Sequence, residues 1–195
     1  MALKNRASIR ERLLDAATDL FYREGVTVGV QEICRHAGIS KRTLYQKFPS
    51  KDELLAASIA EQTRSWHERF TTGSQDESTP RERILDIFAQ LDEVAHSHLW
   101  IGFSTAFAVI NGVGADHPAR ASACQAIEQL RDFFLLRAEE AGASDADLLS
   151  RQLMLIFSGA SAHARVREVR SQDSPAKEIA GMLLDSAGLL STTRR

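Results

Sequence analysis

The chain has 195 residues, of which 44% are hydrophobic and 26% charged, with a formal net charge of −2 and two cysteines. That composition is ordinary for a soluble globular protein of one medium domain, or of a small domain joined to a larger one. No apolar run approaches the ~20 residues of a membrane span, and Met1–Arg6 lacks the apolar core of a signal peptide, so a cytoplasmic protein is expected.

Charge is unevenly placed. Residues 1–51 hold ten Lys/Arg against five Asp/Glu, and residues 52–195 hold fourteen against twenty-one. A basic N-terminal quarter on an acidic body suggests a nucleic-acid head and a different task for the rest. Cys34 and Cys124 lie far apart and are expected to be free, small, buried residues rather than redox or metal groups.

The apolar periodicity is helical almost throughout, which predicts an all-α chain of about nine helices. Helix one is expected from Ile9 to Arg23, with Ile9, Leu13, Ala17, Leu20 and Phe21 on its inner face and Gly25 as its stop. A short helix over about 30–36 turns Ile33 and Ala37 inward, with Gly29 as N-cap. Gly38-Ile39-Ser40 then reads as a turn in which Gly38 takes a positive φ and Ser40 caps a third helix over 41–47. Further helices are expected over 51–70, 80–97, 100–110, 118–141, 145–168 and 175–190. Ser8…Glu11, Ser50…Glu53, Thr79…Glu82 and Ser144…Asp147 have the hydroxyl and acid spacing of helix starts.

The third helix is crowded with groups that contact DNA: Lys41, Arg42, Thr43, Tyr45, Gln46 and Lys47. Leu44 and Phe48 sit four apart and share the opposite face. A compact helix with a buried stripe and a polar, basic outer face suits a major-groove reader. Lys41 and Arg42 stand at its N-terminus, and Lys51 in the first turn of the next helix, where each can meet a phosphate. Thr43 and Gln46 are the candidates for base edges, since Gln pairs bidentately with adenine. The alternative is a basic surface helix with a solvated face.

These residues carry a family resemblance. Leu14-Asp15-Ala16-Ala17…Leu20-Phe21…Gly25, Ile33…Ala37-Gly38-Ile39-Ser40 and Thr43-Leu44-Tyr45…Phe48-Pro49-Ser50-Lys51-Asp52-Glu53-Leu54 resemble the DNA-binding head of the TetR family of bacterial transcriptional regulators. Gly29 stands where that family more often has Ser or Thr, and Cys34-Arg35-His36 where small or acidic residues are usual. The resemblance implies a head over 6–52, with its helix-turn-helix at about 29–48, and a helical ligand-binding and dimerisation domain over 53–195. It also implies a repressor that binds a partly palindromic operator as a homodimer and is released by a small-molecule inducer.

In the body, Trp66, Phe70, Phe88, Trp100, Phe103 and Phe107 are pocket candidates for a partly apolar inducer, with plain core as the alternative for each. Leu149, Leu153, Ile156 and Ala160 on helix eight, with Ile179, Met182 and Leu183 on helix nine, are candidates for a dimer face that pairs into a four-helix bundle. The alternative is that these stripes close the monomer core. His96 and His98 are two apart, a poor spacing for joint ligation on a helix, so no metal and no cofactor is expected. Neither a Gly-x-Ser-x-Gly elbow, a phosphate loop nor an HExxH motif is present, which sets an enzyme aside. A DNA-binding protein without a ligand is the other alternative.

Overall fold

The computed structural model describes residues 7–72, 78–93, 98–166 and 175–189. Regular structure among them is wholly helical: α1 Ile9–Glu24, α2 Val30–Ala37, α3 Lys41–Lys47, α4 Lys51–Thr72, α5 Pro80–Glu93, α6 His98–Gly112, α7 Pro118–Glu140, α8 Ala146–Val166 and α9 Pro175–Ser186. By packing, the chain forms two compact units. Residues 1–71 and 101–127 make one, and residues 72–100 and 128–195 the other.

In the first unit, α1 opens with a complete capping box. The Ser8 N–H donates to Glu11 Oε2 at 2.6 Å and the Glu11 N–H to Ser8 Oγ at 3.2 Å, so two donors that the helix cannot use internally are satisfied. Leu13, Ala17, Leu20 and Phe21 are buried as expected, with Leu14 and Ala16 beside them. Ile9 is the exception among the expected inner residues: it is 41% exposed, because the packed stripe begins one turn later, at Leu13. Helix α1 packs on α2, and α2 on α3.

The end of α2 explains the sharp turn into α3. Gly38 is left-handed at φ 64 and ψ 39. Its N–H donates to the Arg35 carbonyl and that of Ile39 to the Cys34 carbonyl, at 3.3 and 2.9 Å, the two bonds of a Schellman stop. A Cβ on Gly38 would also meet the Arg12 guanidinium at 3.1 Å. Gly38→Ala is therefore expected to destabilise the head by about 1–2 kcal/mol from the left-handed backbone alone, read as a lower midpoint in urea unfolding.

Helix α3 starts at Ser40, whose Oγ accepts the Thr43 N–H at 3.1 Å, and stops at Phe48, extended ahead of Pro49. Ser50 then caps α4 by accepting the Glu53 N–H at 3.0 Å. Leu54, Leu55, Ile59 and Trp66 form the buried stripe of α4. His117 precedes α7: its Nδ1 accepts the Ala119 N–H at 3.1 Å, and its Nε2 lies 3.4 Å from Asp52 on α4.

The second unit is built from α5, the second half of α7, α8 and α9. Helix α9 packs on both α5 and α8. Thr79 and Glu82 form the second complete capping box, with bonds of 2.6 and 3.2 Å. Phe88, Phe134 and Phe157 meet at its centre, with ring centroids 5.7 to 6.4 Å apart. Arg81 ties the start of α5 to the end of α9 through Asp185 at 2.8 Å and the Leu189 carbonyl.

The end of α9 and the cap of α8 differ from expectation. Helix α9 ends at Ser186 rather than near 190, because Gly188 turns left-handed at φ 84 and the Leu189 N–H returns to the Leu184 carbonyl. The cap of α8 is Asp145 rather than Ser144: Asp145 Oδ1 accepts the Leu148 N–H at 2.9 Å. A carboxylate caps as well as a hydroxyl and adds a favourable charge at the positive helix end. Asp145→Ala is thus expected to cost about 1 kcal/mol, and Ser144→Ala close to nothing, in paired thermal unfolding curves. The expected continuations over 94–97 and 167–168 lie outside the described residues.

Candidate nucleic-acid interface

Helix α3 divides its side chains by the spacing of its sequence. Leu44 and Phe48 are buried, and with Ile33 and Ala37 of α2 they form the inner side of the helix-turn-helix, where Ile39 is only half-buried. Lys41, Arg42, Tyr45, Gln46 and Lys47 are exposed, and Thr43 is half-buried. Tyr45 keeps 49% of its surface open, a large planar group with a terminal hydroxyl on the outer face. The Thr43 hydroxyl pairs with Ser40 Oγ at 2.8 Å, so its first partner is the cap of its own helix.

The basic residues of the head fall into three groups. Arg23 pairs with Asp19 at 2.8 Å, and Arg35 with Glu32. Arg10, Arg12 and Lys51 meet the fold itself. The Arg10 guanidinium stands 5.6 Å above the Phe48 ring, Arg12 donates to the carbonyls of Ala37 and Gly38, and Lys51 donates to those of Val26 and Val28. Lys41, Arg42 and Lys47 meet no carboxylate among the described residues. Lys41, Arg42 and Lys47 therefore leave exposed positive charge on α3, where it can neutralise phosphates. Lys4 and Arg6 lie outside the described residues.

His36 has its Nε2 3.5 Å from Asp19. Cys34 is buried between α2 and its neighbours and makes no disulfide. Burial pushes its thiol up, against a smaller pull from Lys41, so it is poorly suited to thiolate chemistry.

The pocket candidates are distributed over both units. Trp66 and Phe103 are buried in the first, with ring centroids 5.2 Å apart and edge-to-face, and Phe107 is half-buried. Phe88 is wholly buried in the second, against Phe134 and Phe157, as a core residue packs. The side chains of Phe70 and Trp100 lie outside the described residues, as do those of His96 and His98. No group of three or more His, Cys, Asp or Glu among the described residues is placed to hold a metal. No described helix is long and apolar enough to cross a membrane.

The dimer candidates also divide. Leu149 and Leu153 are buried within the protomer, Ile156, Ala160 and Leu183 are half-buried, and Ile179 and Met182 are exposed. Leu155, outside the expected set, is 75% exposed, and Leu148 is open beside it on the outer face of α8. Periodicity alone could not find that face, because two adjacent leucine stripes run along α8.

A three-helix head with a capped, polar α3 held on α2 by a short left-handed turn defines a helix-turn-helix protein. Residues 13–58 match the family model described as bacterial regulatory proteins, tetR family. A crystal structure of a TetR-type transcriptional regulator from Streptomyces avermitilis is 41% identical, covers 93% of this chain and 99% of its own, and superposes with a TM-score of 0.75. The chain belongs to the TetR family. A TetR transcriptional regulator from Legionella pneumophila shares the fold at a TM-score of 0.79 and 17% identity, covering 91% of this chain and 98% of its own. Two uncharacterized HTH-type transcriptional regulators of Mycobacterium tuberculosis are 37% identical over 76 residues. That match covers 38% of this chain and 38% of each relative's length.

Proposed function

We propose that the chain is a cytoplasmic, ligand-responsive transcriptional repressor that reads a partly palindromic operator as a homodimer. Its head, residues 6–52, places α3 in the major groove. Lys41, Arg42 and Lys47 meet phosphates, Tyr45 supplies a ring and a hydroxyl at the backbone, and Gln46 and Thr43 face base edges. The observation that carries this reading is the charge sorting of the head among the described residues: Arg23 and Arg35 pair with carboxylates, Arg10, Arg12 and Lys51 meet a ring or backbone carbonyls, and Lys41, Arg42 and Lys47 on α3 are exposed and meet no carboxylate.

Residues 53–195 serve dimerisation and ligand binding. An apolar outer face made of Leu148 and Leu155 on α8 and Ile179 and Met182 on α9 supports the dimer. Half-buried Ile156, Ala160 and Leu183 would lie at its margin, whereas Leu149 and Leu153 support it from within the protomer. Two such heads must meet successive major grooves about 34–36 Å apart, so a small-molecule inducer that changes their spacing releases the DNA. Trp66, Phe103 and Phe107 suit the apolar part of such a ligand.

Selection of bound duplexes from a random library tests this reading. A half-site repeated with two-fold symmetry is expected, and its affinity should fall steeply with salt. Recovery of no preferred sequence, or a flat salt series, would refute it. A compound that releases the selected duplex separates the ligand-responsive regulator from a ligand-independent one.

A further inference from the structure

Asp52 stands in the first turn of α4, where that helix leaves the head, and the half-buried His117 faces it from the start of α7. Both belong to the first compact unit. We infer that operator binding is linked to a proton at His117: the neutral ring bridges α7 to α4 in the DNA-bound arrangement, and the imidazolium gives up that bridge. His117 is thus a positioning residue that acts through α4 without touching DNA. This rests on the proposed two-headed reading of DNA, in which affinity depends on how α4 carries each head.

The hydrogen bonds decide which ring nitrogen holds the proton. His117 immediately precedes α7, and Pro118 fills the first helical position, where no N–H is needed. Ala119 supplies the next N–H, and His117 Nδ1 accepts it at 3.1 Å. An accepting Nδ1 carries a lone pair, so the proton of the neutral ring is on Nε2. Nε2 lies 3.4 Å from Asp52 Oδ1. The neutral ring therefore serves two helices, capping α7 with one nitrogen and facing the α4 carboxylate with the other. On the body side, α7 is anchored separately, because Arg120 Nη1 donates to the Ile110 carbonyl at the end of α6 at 3.0 Å.

Protonation removes the lone pair from Nδ1. The Ala119 N–H would then meet a second N–H, and a positive charge would stand at the positive end of α7. Attraction to Asp52 grows, but that side chain is 44% exposed, and an exposed pair contributes little. The ring cannot keep both contacts, so the bridge opens. No neighbouring charge takes its place. On α4, Lys51 donates to the carbonyls of Val26 and Val28, and Glu53 is exposed. Asp116 is exposed in the turn before His117, and α6 carries no Asp, Glu, Lys or Arg between His98 and Gly112. Among the described residues, Asp52 alone forms an ion pair with His117. If the DNA-bound form requires the neutral ring, DNA binding expels the proton. By linkage, affinity then falls as pH falls through the range of about pH 8 to 5 in which histidine changes charge.

The test uses the full chain, the duplex it selects at about pH 8 and an unrelated duplex of equal length. The ratio of the two affinities is measured at about pH 8 and about pH 6 at fixed salt, which cancels the charge effects common to all DNA. Circular dichroism and light scattering check fold and mass at both. The native ratio is expected to fall by about fivefold for each head on acidification, the worth of a helix cap. His117→Asn, whose side-chain oxygen can cap α7 but which takes up no proton, should hold a constant ratio. Asp52→Asn should start from a ratio below the native one and show no fall. His36→Gln removes the histidine of the head and should keep the native fall. A native ratio that does not change with pH would overturn the inference, as would a His117→Asn variant that falls with the native chain. A fall that disappears in His36→Gln would assign the proton to the head and overturn it equally. Should His117→Asn not fold, His117→Gln is read by the same outcomes. Failure of the DNA reading itself looks different: no duplex is then preferred, and the ratio stays near one at every pH.

Discussion

Leu155→Glu is expected to turn the proposed dimer into a folded monomer. Leu155 is 75% exposed on α8, so the substitution removes almost nothing from the protomer's own core, and surface changes of that kind usually stay within about 0.5 kcal/mol. Across a two-fold axis the same residue appears twice. Each buried leucine contributes about 2 kcal/mol, so the pair contributes about 4 kcal/mol, and the dimer dissociation constant should rise by roughly a thousandfold from the missing burial alone. Two carboxylates drawn into an apolar face add a further penalty. Light scattering should then report the 21.6 kDa monomer, where the native chain gives twice that mass. Leu153→Ala is the control with the opposite signature. Leu153 is wholly buried in the protomer, so its truncation should lower stability by about 2–5 kcal/mol through reduced burial and a cavity while leaving the dimer mass intact under native conditions. A native chain that scatters as a monomer, or a Leu155→Glu variant that stays dimeric, would remove this face from the interface.

The contrast between Leu153 and Leu155 shows where sequence reasoning stops. Helix α8 carries Leu148, Leu149, Leu153, Leu155 and Ile156, two apolar stripes on one helix. Either could face the core, and only the packing of α8 on α9 and α5 decides which does. The head was far more legible because its devices are local. A hydroxyl three residues before an acid, a glycine after an apolar turn and a proline after an aromatic each act within one helical turn. Ser8, Gly38 and Phe48-Pro49 accordingly end or start helices where expected. Asp145 shows the limit even of local signals, since two adjacent residues were both able to cap and the carboxylate took the place. The contacts that Arg12 and Lys51 make were not legible at all. Their partners lie 23 to 26 residues away in sequence, and a cation in a basic segment carries no mark of whether a carbonyl or solvent will meet it.

Tyr45→Ala should abolish high-affinity DNA binding while leaving the fold intact. The residue is half exposed and adjoins Leu44, which is completely buried, so α3 keeps its anchor when the ring is removed. Alanine is also the better helix former, and the thermal midpoint should be unchanged within error. A tyrosine at the centre of a contact surface is the kind of side chain whose truncation costs about 2 kcal/mol or more. The proposed dimer would present two of them, so a loss of about 4 kcal/mol, near a thousandfold, is expected for the full operator. Gln46→Ala should behave differently. A base-edge contact carries about 1–3 kcal/mol of discrimination, so this variant should bind the selected duplex less tightly and accept substitutions at one base pair of each half-site. Gel-shift titrations over a panel of single-base variants distinguish the two. Relaxed preference at a symmetric pair of positions in Gln46→Ala, beside uniform loss in Tyr45→Ala, would assign one residue to the bases and the other to the backbone. Wild-type affinity in Tyr45→Ala would mean that the exposed face of α3 is not the surface that meets DNA.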